Sequence, residues 1–186
     1  MTRKLLFSTL ILTLFGVLGS AQTKSPKTVR DFFFALPDKY FSLDCCMSIP
    51  RSKRKAEYLK LHLNIEDTAN GYLSASGDAA QDGCVMALFK RPDGTYLIGF
   101  YTEGEGGVED TPWTVFLDYR NGNWVDVSRA LIPGYSKEKY IYELPRYGTA
   151  VQVYAKDEKA AVFYQGKGLY SLLWKDGKFL KGEFGS

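Results

Sequence analysis

Three turn pairs, Asp93-Gly94, Asn121-Gly122 and Asp176-Gly177, stand between runs of alternating apolar and polar residues. Asn and Asp tolerate positive φ and Gly adopts it freely, so such a pair marks a tight hairpin. Short turns make consecutive strands pair most simply as antiparallel neighbours. The strands read as Cys84–Lys90, Thr95–Glu103, Trp113–Tyr119, Asn123–Ser128, Thr149–Ala155, Ala160–Gln165, Leu169–Trp174 and Lys178–Phe184. In the third, Trp113, Val115, Leu117 and Tyr119 share one face, with Thr114 and Asp118 on the other. One-sided alternation predicts an antiparallel sheet with one face on a core. Tyr119-Arg-Asn-Gly-Asn-Trp124 and Trp174-Lys-Asp-Gly-Lys-Phe179 look alike, as a short turn with flanking aromatic pairs requires without any duplication.

Ahead of the strands lie two helical segments. Thr28 is placed to cap the first, with Asp31 near its positive end. Val29, Phe32, Phe33 and Leu36 repeat at helical spacing, and Pro37 stops the run. The second reads from Ser48 to Leu63, with Pro50 in its first turn and Ala56, Leu59 and Leu63 as the apolar stripe. Arg51, Lys53, Arg54, Lys55 and Lys60 occupy the rest, which suits a solvated face or a seat for an anionic polymer. His62 reads as a packed side chain rather than a catalyst. The expected fold is α+β: two short N-terminal helices packed on an antiparallel meander of about seven to nine strands. A bent sheet or partly open barrel is a variant of the same reading.

The first residues carry an address. Arg3 and Lys4, an apolar run from Leu5 to Leu18, and Gly19-Ser20-Ala21 form the three parts of a cleavable signal peptide over residues 1–21. The run is shorter than the roughly 20 residues a membrane-spanning helix needs. Cleavage after Ala21 implies a periplasmic or secreted protein, with no membrane span in the mature chain. Residues 22–27 then form a disordered lead-in, and 28–186 one globular domain. Removing 1–21 from the 186 residues leaves 165, enough for a core that is stable without staples. It also lowers the formal charge from +3 to +1, so nothing in the balance demands a nucleic acid.

Export permits a disulfide, and the chain has three cysteines, Cys45, Cys46 and Cys84. An adjacent pair bonds poorly, so Cys84 with Cys45 or Cys46 is the expected bridge, Cys46–Cys84 being the one taken forward. It would close a loop of about 39 residues and contribute about 3–4 kcal/mol. Three buried thiols acting as small apolar side chains are the alternative.

Three stretches are candidates for function. Glu103-Gly-Glu-Gly-Gly-Val-Glu-Asp110 joins two strands with four carboxylates, Glu103, Glu105, Glu109 and Asp110. Such a loop can hold a ligand or cation, or supply an acid and a base, or simply be solvated. The second runs from Asp67 to Gly83, where turn chemistry accounts for each Asp, Asn, Ser and Gly. The third places Tyr135, Tyr140, Tyr142 and Tyr147 around Arg146, a composition favoured at recognition surfaces and equally at home in a self-packing connection. No Gly-x-Ser-x-Gly elbow, phosphate loop, dinucleotide fingerprint or His-Glu-x-x-His is present. No cofactor or metal is expected. The expected function is a non-catalytic exported domain that binds a glycan, peptide or protein. A small carboxylate-dependent hydrolase or lyase, or an inhibitor of a secreted enzyme, is the alternative.

Overall fold

The computed structural model describes residues 25–43, 48–78, 81–104, 111–156 and 165–185. The signal peptide, the start of the lead-in, Cys45, Cys46, Glu105, Glu109, Asp110 and most of the Ala160–Gln165 strand lie outside the described residues. Helix α1 spans Val29–Ala35 and α2 Arg51–His62. Six strands follow: β1 Leu63–Asp67, β2 Tyr72–Ala75, β3 Cys84–Lys90, β4 Tyr96–Thr102, β5 Trp113–Arg120 and β6 Asn123–Asp126. Helix α3, Ser128–Leu131, leads to β7 Tyr140–Glu143, β8 Ala150–Lys156, β9 Gln165–Lys175 and β10 Lys178–Gly182.

The strands form two antiparallel meanders rather than one, of six and four strands in the orders β1-β2-β3-β4-β5-β6 and β10-β9-β8-β7. The expected α+β class and antiparallel pairing agree with this. What changes is the covering of the first sheet. The helices pack Val29, Phe32, Phe33, Tyr58 and Leu59 against the face that carries Met86, Ile98, Phe100, Val115 and Leu117. The opposite face, with Ala87, Phe89, Leu97 and Phe116, packs against Tyr142, Val151, Val153 and Leu172 of the second sheet. Trp113, Val115, Leu117 and Tyr119 do share a face, but Thr114 on the other face is fully buried too. Its hydroxyl donates to the Tyr142 carbonyl at 3.0 Å, so a polar residue in a strand signals a partner there, not water.

Local chemistry sets these elements. The Thr28 hydroxyl accepts from the Asp31 amide, while the Asp31 carboxylate accepts from the Lys27 and Thr28 amides, a capping box that fixes the start of α1. In α2 the inward side is Lys55, Tyr58, Leu59 and His62; of the expected stripe Ala56 is exposed, while Leu63 packs against the core as the first residue of β1. The Lys55 ammonium donates to the carbonyls of Phe33 at 3.0 Å, Phe34 at 3.4 Å and Leu36, where α1 ends. Asn121 and Asp176 both have φ 51° and are followed by Gly at 85° and 80°, the backbone that tight hairpins require. At Gly99 in β4 a Cβ would lie 2.6 Å from the tip of the Leu144 side chain, which packs over this glycine from the segment after β7. Among the described residues no helix is long and apolar enough to cross a membrane.

Candidate functional site

One end of the six-stranded sheet carries an aromatic cluster that the core does not close over. Phe32 of α1 meets Tyr96 at the start of β4, Tyr119 near the end of β5 and Trp124 near the start of β6. The ring centroids lie 5.9, 5.8 and 6.3 Å from that of Phe32, all edge to face. Tyr119 and Trp124 are directly paired across the β5–β6 hairpin, with centroids 5.0 Å apart. Phe32 is buried, whereas Tyr96, Tyr119 and Trp124 are only part-buried. Edge-to-face packing holds these rings in place at little further ordering cost.

Two grooves open beside them. One, of about 830 Å³, lies between α1 with its lead-in and the Tyr119–Trp124 pair. The other, of about 620 Å³, lies between the lead-in and the turns at Asp93–Thr95 and Arg120–Asn121. Ser25, Pro26, Lys27 and Tyr119 line both, so the lead-in separates two arms of one aromatic depression. Its rim is built from tight turns. The Asp93 carboxylate accepts from the Thr95 hydroxyl at 2.6 Å and the Thr95 amide at 2.9 Å, bonds that hold it below the usual carboxylate range. Asn121 is fixed by its turn, and the Arg120 guanidinium stands mostly exposed, 3.4 Å from Asp118.

Of the expected binding residues, the described ones are Glu103, Tyr135, Tyr140, Tyr142, Arg146 and Tyr147, and they lie away from these grooves. Glu103 accepts from the Gly83 amide at 2.8 Å, which ties one carboxylate oxygen of the acidic loop to the backbone. Tyr142 is fully buried, stacked on Tyr135 with centroids 5.2 Å apart and met edge-on by Tyr140. The Tyr135 hydroxyl donates to the Thr114 carbonyl, and the Tyr142 hydroxyl accepts from the Ser136 amide at 3.2 Å. Burial pushes the Tyr135 phenol up to about 12 and that of Tyr142 upward as well. Arg146 donates to Asp67 at 3.1 Å and lies 4.8 Å from the ring of Tyr147, itself exposed, at the far side of the β1–β2 hairpin.

A second polar cluster sits beneath α2. The Tyr58 hydroxyl donates to the Asp82 carbonyl at 2.8 Å and lies 3.8 Å from the Cys84 sulfur. Cys84 is buried and unbridged in this structure, with Cys46 outside the described residues, and burial pushes its thiol up to about 12. His62 stacks on Tyr58 with ring centroids 5.0 Å apart and lies 3.6 Å from Asp78, as a packed side chain does. Of the basic residues on α2, Arg51 pairs with Asp38, Arg54 donates to the carbonyl of Ile49 at 3.1 Å, and burial lowers Lys55 to about 8. No group of three or more His, Cys, Asp or Glu converges as a metal site among the described residues.

The aromatic groove was legible only as the pattern Tyr119-Arg-Asn-Gly-Asn-Trp124, which serves as a hairpin signature. Nothing in it shows that Phe32 and Tyr96, far away in sequence, join the same cluster. No family model, curated protein or solved structure matches the chain.

Proposed function

We propose that this chain is an exported, non-catalytic binding domain, with the groove around Tyr119 and Trp124 as its ligand seat. The observation that carries the reading is a set of rings held rigidly by one another yet left part-exposed above two grooves. Concave sites with fixed aromatic walls and a few placed polar groups are where ligands of a glycan, peptide or protein kind are held. Phe32 anchors the wall from below, Asp93 and Asn121 present polar groups from tight turns, and the lead-in forms the opposite side. Away from the groove, Cys84 and Tyr142 are buried and Glu103 accepts from a backbone amide, all of them packing roles.

The test is NMR mapping of the isotope-labelled mature protein against mixtures of neutral oligosaccharides and heptapeptides. Shifts are expected at the amides around Tyr96, Asn121, Gly122 and Trp124. Shifts confined to Glu103 or Arg146, or conversion of an added compound, would sink this reading. Export is tested by sequencing the N-terminus of protein recovered outside the cytoplasm, where Gln22 is expected as the first residue. Export also makes a Cys46–Cys84 bridge accessible. One thiol is then expected in unfolded, unreduced protein; three would remove the bridge.

A further inference from the structure

We infer that the occupant of this groove is a neutral glycan chain, an inference that rests on the groove being the binding seat. A sugar ring has an apolar C–H face and an equator of hydroxyls. It therefore needs a flat aromatic surface with donors and acceptors beside it. Trp124 and Tyr119 supply two such ring surfaces, set at 62° to one another, and Asn121, Thr95 and Asp93 stand on the turns beside Tyr119. An amide, a hydroxyl and a carboxylate together offer both donors and acceptors, as hydroxyl recognition demands.

Charge narrows the ligand class. The charged side chains lining the two arms are Lys27 and Arg120 against Asp31 and Asp93, which balance. A polyanion or nucleic acid would need a net basic stripe, so a ligand without charge fits best. An amphipathic peptide helix would need a continuous apolar trough, and here polar turns interrupt the aromatic wall. The plan of the site adds length. Trp124 and Gly122 line one arm, Tyr96 and Asn121 the other, and Tyr119 stands in both, which suits a linear oligomer of several rings. Because the rim groups are fixed by turn geometry and by the Asp93–Thr95 bonds, little of the binding free energy is lost in ordering them.

The experiment uses the mature chain on an array of neutral oligosaccharides of three to eight rings, followed by calorimetric titration of the ligands found. At least one neutral oligosaccharide is expected to bind and to quench the tryptophan emission, since Trp113 and Trp174 are buried and Trp124 is not. W124A is expected to weaken binding more than about tenfold, as truncating an aromatic anchor does. N121G, which keeps the positive-φ turn and removes only the amide, guards against a W124A variant that fails to fold; a several-fold loss is expected. An array that stays empty overturns the glycan assignment. If heptapeptides then bind and W124A abolishes that, the binding seat stands while the glycan is excluded. If sugars bind but W124A, Y119A and N121G leave affinity unchanged, both readings fall. Binding only to charged polysaccharides, lost on adding salt, also overturns the assignment.

Discussion

The molecule contains two aromatic clusters of similar composition and opposite character. Tyr142 lies fully buried between the sheets with part-buried Tyr135 and Tyr140 against it, and the Tyr135 and Tyr142 hydroxyls are bonded to backbone groups. Tyr96, Tyr119 and Trp124 lie at the end of the first sheet, packed edge to face on Phe32, with grooves beside them. Residue type does not separate recognition from packing, because Tyr and Trp suit both. What separates them is whether a second layer covers the rings. The first sheet covers Tyr142, whose ring meets Phe116 of β5 edge-on at 6.1 Å. Beside Tyr119 the described residues of the lead-in and α1 leave grooves open.

The largest expected effect tests the sealed cluster. Y142A removes a fully buried ring from between the sheets and is expected to cost about 3–5 kcal/mol in urea unfolding. Ligand affinity of the fraction that remains folded should not change. Equal losses of affinity and stability would erase the contrast. Base should attack this cluster together with the other buried tyrosines. Burial raises Tyr58, Tyr101, Tyr135 and Tyr142 above the usual 10, so the unfolded chain releases these protons first. Stability is therefore full below about pH 10 and falls as pH rises beyond it, by up to about 1.4 kcal/mol per pH unit for each such group. Unfolding curves that coincide at pH 9 and pH 11 would contradict this.

W124A should do the converse, costing about 1–2 kcal/mol for a part-buried ring while abolishing most ligand binding. A cost as large as that of Y142A would place Trp124 in the core. Smallest of all is R146A. It breaks the contact with Asp67 and the stacking on exposed Tyr147, so the thermal midpoint should move less than in W124A, with ligand affinity unchanged. A loss of binding in R146A would move the site to the Tyr147 loop.

Much of the fold was legible in the chain. The hairpins at Asn121-Gly122 and Asp176-Gly177 stand on the expected positive-φ pairs, that at Asp93-Gly94 turns with positive φ at Gly94 but not at Asp93, and α1 runs from its Thr28 cap toward Pro37. β1 was hidden because it follows α2 without a break, and Leu63 continues the helical spacing just as well as it begins a strand. β7 was hidden among tyrosines whose spacing suits a self-packing connection. The candidate site was hardly legible. Phe32, Tyr96, Tyr119 and Trp124 come from one helix and three strands, and no local pattern relates Phe32 to Trp124.

By itself, the sequence determined the local geometry: which pairs turn, which segments extend, and where a capping box starts a helix. These follow from φ preferences and hydrogen bonds within a few residues. Only the tertiary structure decided that the first sheet is covered on both faces, that Lys55 turns inward to the end of α1, and that one aromatic cluster is sealed and the other open. Those outcomes depend on which distant surface arrives at each face. Burial is a property of the pair of surfaces, and neither strand carries it alone.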